Sequence, residues 1–331
     1  MRKLNDTTNT QRKAASQELT TRSQADECLS GRCTKQEQGQ RRPRVGTVSS
    51  LNGFPLYWHL MKYGTSIDID IVSDTPDQLA SMLNRGELDI SAISLVDYML
   101  SESELLLLPD IGIGSDGPIL SCNIVSQSNL AQLDGRVVSI CSTSRTTALL
   151  AKLLLEEKYG VSPIYVNRPP VLNQMLEGAD AAVIIGDAAL RAKFQDAPQR
   201  GLQVFDTGEM WHDWTGLPMV FSVWVVRRSY ALTHPELVRS IHADLICKMK
   251  EAKNCPDMMV NDAVSKSNFD ATIIKNYFQL LNFSLGERQL MGMNEFCRRV
   301  ASRLQMPQPG CTHVFWQDHN PKLNTKDNPR F

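Results

Sequence analysis

The chain lacks any CxxC pair, and none of its eight cysteines stands near a histidine at zinc-ligand spacing. A redox dithiol and a structural zinc site are therefore not written into it. Most of these cysteines have apolar neighbours, as buried thiols in a reducing cytoplasm do. No apolar run approaches the ~18 residues of a membrane span; Leu105–Leu108 and Leu149–Leu155 are short. The first forty residues contain no apolar h-region, which speaks against a secretory signal and makes a cytoplasmic location the expectation. Excess charge of one sign is missing too: 35 basic against 36 acidic residues leave −1, with no global pull towards nucleic acid or an anionic membrane.

What is present suits a globular protein. The 331 residues are 42% apolar and 21% charged, enough for about two domains with a sizeable core. Residues 1–43 are rich in Gln, Ser, Thr, Arg and Lys and read as a disordered extension; 306–331 read as a flexible tail. From Arg44 the pattern changes. RVGTVSSLN (44–52) alternates like a strand, and GFPLYWHLMKYG reads as a helix opened by Pro55 and closed by Gly64. IDIDIVSD is a second strand. TPDQLASMLNRG is an amphipathic helix capped by Thr75, begun by Pro76 and stopped by Gly86, and ELDISAISLV is a third strand.

The same order recurs from Arg136: strand RVVSICSTS, helix TTALLAKLLLEEKYG, a strand near PIYVN, helix PPVLNQMLEG, strand ADAAVIIGD. Arg136 and Gly178 each follow their counterparts, Arg44 and Gly86, by 92 positions. Two βαβαβ-like copies predict two related α/β lobes, each offering ligand groups at the carboxyl ends of its strands. The apolar runs GPILSCNIVSQ (117–127) and GLPMVFSVWVVRR (216–228) are expected to be hinge strands crossing between the lobes. The predicted division puts 44–120 and 227–305 in lobe one and 121–226 in lobe two, a clamp for a small molecule.

Three motifs mislead. Gly112-Ile-Gly-Ser-Asp-Gly117 spells GxGxxG, but Pro118 and a strand follow where a dinucleotide fold needs a helix. Glu209, His212 and Asp213 lack a second histidine at helical spacing, so the GEMWHDW stretch reads as a loop packed by its tryptophans. His59 falls in an apolar helix and reads as a packed or surface histidine.

The 92-residue offset sets Asn52 against Ser144, both where a first strand gives way to a first helix, so both should face one cleft. Ser142, Thr143, Ser144 and Arg145 crowd hydroxyls and a guanidinium at a helix N-terminus, a setting that favours carboxylates or phosphates. Plain capping remains the alternative, for Asn52 as well. Ser121 and Cys122 lie along the first crossing run and face either the cleft or the hinge packing. Asp187 ends the last strand of lobe two, as a pocket-edge group or as the cap of the next helix.

Several of these stretches in series, RVGTVSSLNGFPLYW, DTPDQLASMLNRGELDISAISLVDYM, PDIGIGSDGPILSCNIVS, STSRTTALLAKLLLEEKYG, ADAAVIIGDAAL and WTGLPMVFSVWVVRR, resemble the chorismate dehydratase family. Its members open the futalosine route to menaquinone. The resemblance runs from about Arg44 to about Val300. It implies a two-lobed periplasmic-binding-protein-like fold of the second type, here intracellular and catalytic, acting on chorismate without metal or organic cofactor. The family's pocket residues fall on Asn52, Ser121 and Ser144. Gly53 departs from the pattern, where a slightly larger residue is expected, and should loosen the loop after Asn52.

Chorismate is a dianion, which two helix N-termini can hold. No paired carboxylates or histidine mark a strong base, so the substrate's own enolpyruvyl carboxylate is the expected proton acceptor. Rival readings are a binding module and the later naphthoate-forming synthase of the same fold. The first lacks a signal peptide or a helix-turn-helix segment, and the second should carry a histidine base. No nucleic acid or membrane partner is expected, and a monomer and a homodimer both remain open.

Overall fold

The structure is a computed structural model, and it describes residues 41–307. Most of the expected extension (1–43) and of the tail (306–331), with Cys28, Cys33 and Cys311, lies outside the described residues.

β1 (Arg44–Val48) leads into α1 (Phe54–Tyr63), β2 (Asp70–Asp74), α2 (Pro76–Asn84), β3 (Ile90–Ser94) and the short α3 (Leu95–Leu100). β4 (Leu105–Ser115) follows. The second copy begins after β5 (Cys122–Ser126). It runs β6 (Val137–Cys141), α4 (Arg145–Leu153), β7 (Ile164–Arg168), α5 (Leu172–Met175), β8 (Ala181–Ile185), α6 (Gly186–Arg191), α7 (Ala197–Arg200) and β9 (Gln203–Asp206). α8 (Thr207–Thr215) and β10 (Met219–Arg227) return the chain. α9 (Arg228–Thr233), α10 (Pro235–Lys253), α11 (Pro256–Lys266), α12 (Ala271–Leu280) and α13 (Glu287–Leu304) complete it.

Two five-stranded sheets form, in the orders β2-β1-β3-β10-β4 and β7-β6-β8-β5-β9. The repeat is thus real in three dimensions. β1 lies parallel between β2 and β3, and β6 parallel between β7 and β8, with an antiparallel fourth strand in both sheets. Gly86 and Gly178 both take positive φ (+74° and +64°) just past a helix, a conformation that costs glycine little. Edge strands β2 and β7 are partly exposed along their whole length and mix polar with apolar residues. The central strands β3 and β10, covered on both faces, are buried almost throughout.

The hinge strands are corrected by this topology. The run 216–228 does not cross: β10 is the fourth strand of the first sheet, paired to β3 and β4. Residues 219–226 therefore belong with the first sheet, not with the lobe-two segment 121–226 expected to contain them. β5, likewise, lies wholly in the second sheet. The actual crossings are the short loop 116–121 and α8 with the turn 216–218. GEMWHDW is a helix rather than a loop, with Trp211 fully buried and edge-on to Trp214 at 6.0 Å. The GxGxxG stretch is the end of β4 and a turn.

α10 packs on α1 of the first lobe. α13 reaches the second lobe. Its Arg299 bonds Glu157 at 2.8 Å while lying 3.9 Å over the Trp214 ring, and Arg303 holds Glu156 through both guanidinium nitrogens.

Candidate active site where the lobes meet

β1 ends at Val48, and the chain turns tightly before α1, with Gly53 N–H on Ser50 O and Phe54 N–H on Leu51 O. Gly53, not Asn52, occupies the cap position and offers no side-chain bond. The residue at the same place before α4 is Ser144, so the offset pairing of Asn52 with Ser144 is one residue out at the caps. Asn52 is half-buried and free of capping duty; its Oδ1 accepts the Ser50 hydroxyl at 2.6 Å. Gly53 does not loosen this turn. A Cβ there would lie 2.6 Å from Tyr57 Cε2 and 3.1 Å from Val48 O, so glycine lets the buried Tyr57 ring pack against the loop.

The second lobe meets this turn through the end of β8. Leu51 N–H donates to Asp187 Oδ1 at 2.9 Å, a bond from one lobe to the other. Gly186, at φ +66°, lets the chain approach Ser50, and its N–H donates to Ser121 O at 2.7 Å. Asp187 does not cap α6, one of the two roles expected for it. Burial raises its carboxyl above the ordinary range, against the lowering effect of the Leu51 bond.

Most of the hydroxyl-rich CSTSRTT stretch is occupied by the protein itself. Ser144 is the N-cap of α4, accepting Thr147 N–H at 3.5 Å. The Thr143 hydroxyl lies 2.8 Å from Cys141 Sγ. Thr146 Oγ1 accepts Val96 N–H at 3.0 Å, capping α3 from the opposite lobe. Arg145 corrects the expectation of a guanidinium fork held over the helix N-terminus. Its Nε lies 3.3 Å from Asp97 Oδ1, and its side chain is 61% exposed. Asp97 is itself tied to Ser94 at 2.7 Å, and burial raises its carboxyl despite the Ser94 bond and Arg145. Of the expected set, Asp187 meets the turn that carries Asn52, its neighbour Gly186 is bonded to Ser121, Cys122 accepts the Thr147 hydroxyl, Ser142 is exposed, and Arg145 faces Asp97.

Ser121 sits on the first crossing. Asp206, 2% exposed, grips that crossing: its carboxylate accepts Ile119 N–H at 3.1 Å and Leu120 N–H at 2.6 Å. The same carboxylate caps α8 through Gly208 N–H at 3.0 Å and Glu209 N–H at 3.2 Å. Leu120 is held at φ +60°, a strained value for a branched residue. Ser121 is fully buried, and its hydroxyl has no hydrogen-bond partner among the described residues; the same holds for the phenol of Tyr277 on α12. Each such orphan costs about 1–3 kcal/mol. Cys122 beneath them accepts the Thr147 hydroxyl at 3.4 Å, and burial pushes its thiol up to about 12, so it is no nucleophile.

Sequence reasoning missed Asp206 and Tyr277. Asp206 had a signal, since Asp-Thr-Gly-Glu places a cap three residues before an acid. Tyr277 is one aromatic on an amphipathic helix and carries none.

The described histidines lie elsewhere. His59 pairs with Glu251 at 3.1 Å, His212 faces Asp116 at 3.5 Å, His234 stacks on Tyr230, and His242 bonds Pro109 O at 2.8 Å. Among the described residues, no three His, Cys, Asp or Glu side chains gather as a metal site, and no helix is long and apolar enough to cross a membrane. A cavity of about 390 Å³ opens in lobe one between α1 and α11, with Phe54, Trp58, Ser73 and Lys266 among its lining. It meets the candidate cluster only through Ser50, so its volume does not mark the reacting centre.

Two sheets of one topology, joined by two crossings with polar groups gathered at the junction, define a two-lobed periplasmic-binding-protein-like fold. Solved structures agree. The chain is similar to the periplasmic aliphatic sulphonate-binding protein of Escherichia coli, at TM-score 0.59 and 15% identity over 88% of this chain and 96% of that one. It is similar also to a protein of Archaeoglobus fulgidus, at TM-score 0.62 and 19% identity over 80% and 98%. Residues 43–302 match the family described as menaquinone biosynthesis, and the chain belongs to that family. The chorismate dehydratase of Thermus thermophilus is 31% identical over 200 residues, 56% of this chain and 71% of that one. The 1,4-dihydroxy-6-naphtoate synthase of Streptomyces coelicolor is 31% identical over 182 residues, 53% of this chain and 58% of that one.

Proposed function

We propose that this protein is a carbon–oxygen lyase that dehydrates chorismate to 3-[(1-carboxyvinyl)oxy]benzoate for menaquinone biosynthesis. In this reading it works in the cytoplasm, as a monomer or a homodimer, on a small dianion and with no cofactor. The observation that carries it is the junction itself. Asn52, held by Ser50 and free of capping duty, stands in the turn that meets the opposite lobe at Asp187, whose neighbour Gly186 is bonded to Ser121. No imidazole stands there among the described residues, which favours the dehydratase over the synthase with a histidine base.

The elimination breaks a ring C–H bond and the ring carbon–hydroxyl bond. The C–H electrons enter the new aromatic system, and the hydroxyl and one proton leave as water. Aromatisation drives the step, so the protein's task is orientation and charge placement rather than strong base catalysis. Asn52 orients the enolpyruvyl group, whose carboxylate takes the ring proton. Ser121 contacts the substrate's oxygens at the crossing, and Ser144 keeps α4 aimed at the junction. Purified protein mixed with chorismate should yield the aromatic product. Asn52→Ala should lose about a hundredfold or more in turnover while chorismate still binds by calorimetry. Wild-type turnover in Asn52→Ala refutes this role, and an inert wild-type protein refutes the reaction.

A further inference from the structure

Costs concentrate at one point of this fold. Ser121 and Tyr277 are both 0% exposed and both carry an oxygen with no hydrogen-bond partner among the described residues. The two lie close enough for the serine hydroxyl to act on the phenol, yet they do not adopt hydrogen-bond geometry with each other. Leu120, next to Ser121, is held in the left-handed region. Buried hydroxyls ordinarily find partners, and strained backbone persists only where its surroundings enforce it. Here Asp206 enforces it, through the Ile119 and Leu120 amides.

The groups around the pair come from separate parts of the chain: Tyr277 from α12, Ser121 from the crossing, Cys122 from the start of β5, Asp187 from the start of α6. Asp187 in turn meets the turn that carries Asn52. We propose that Tyr277 is a substrate-contacting residue, its phenol and the Ser121 hydroxyl together donating hydrogen bonds to one oxygen of the substrate, a carboxylate or the departing hydroxyl. The assignment rests on the dehydratase reading above.

Both hydroxyls are sealed from solvent, so an oxygen reaches them when the lobes part and is enclosed when they close again. Burial holds the Tyr277 phenol well above its ordinary pKa, against the smaller lowering effect of the neighbouring Ser121 hydroxyl, and it stays a donor throughout the working range. A donor pair fixed in a buried site stabilises charge that develops on the leaving oxygen without reorganising.

Tyr277→Phe removes one oxygen and keeps the ring. Steady-state kinetics on chorismate should show kcat down by about a hundredfold with KM changed far less, as for loss of one preorganised donor. The melting temperature should stay level or rise, because an unpartnered buried hydroxyl has gone. Ser121→Ala should act in the same direction, and the double variant should lose less than the product of the two singles. A kcat within about twofold of wild type in Tyr277→Phe overturns the assignment, as does lost activity accompanied by a fall of several degrees in melting temperature, which marks a packing role. Wild-type protein inert on chorismate overturns the dehydratase reading and this assignment together; the first result leaves that reading standing.

Discussion

Asp206→Ala tests how the crossings are held. The carboxylate is buried and receives four backbone amides, those of Ile119 and Leu120 on one crossing and Gly208 and Glu209 on the other. Losing the helix cap costs about 1 kcal/mol. Leaving the Ile119 and Leu120 amides without an acceptor adds about 1–3 kcal/mol for the pair, at the lower end of the range for each because the loop can relax towards water. The sum is about 3 kcal/mol. For a body of this size roughly 2 °C is lost per kcal/mol, so the melting temperature should drop by roughly 6 °C in scanning calorimetry. Asp206→Asn keeps one acceptor oxygen but turns an amide group towards other donors, and should fall between alanine and wild type. A shift below about 2 °C for alanine would show that the crossings hold without this latch and would refute the reasoning.

Gly53→Ala sets a methyl 2.6 Å from Tyr57 Cε2, and displacing that buried ring should cost about 1–3 kcal/mol in urea unfolding; an unchanged midpoint would mean that the ring swings aside freely. Asp187→Asn should alter the pH profile. Burial raises the Asp187 carboxyl in the folded state above its ordinary 3.8, so its contribution to stability is full below that value and is lost as pH rises through the folded pKa. The asparagine variant should therefore gain on wild type between about pH 4 and pH 7 in parallel thermal melts. A constant gap between the two curves across that range would count against it.

Much of the fold was legible because two copies of one pattern constrain each other. Gly86 and Gly178 close equivalent helices, and β1-β2-β3 and β6-β7-β8 pair alike. The crossings were not legible. An apolar run such as MVFSVWVVR reads the same whether it bridges two lobes or fills the middle of a sheet, since both burial patterns are continuous. Which sheet claims it depends on pairing to β3, more than 120 residues earlier in the chain, and no local signal carries that. The site divided in the same way. The repeat singled out Asn52 and Ser144 and the family resemblance added Ser121, but counting hydroxyls in CSTSRTT could not show that Thr146 caps a helix of the other lobe or that Arg145 faces Asp97. Partners decide what a side chain is available to do.

The two residues that open α6, just past β8, bond to different parts of the junction. Gly186 is bonded to Ser121 O on the crossing, and Asp187 to Leu51 N–H on the opposite lobe. If the lobes part about the crossings, a crossing moves least, so the Gly186 bond should persist and the Asp187 bond should break. Asn52 follows Leu51 directly and must leave with it. The Leu51–Asp187 bond crosses this seam together with the Val96–Thr146 and Asp97–Arg145 contacts. In the proposed reading, substrate bridging Asn52 and Ser121 would add to those bonds only with the lobes joined, and binding would favour that form by its differential affinity.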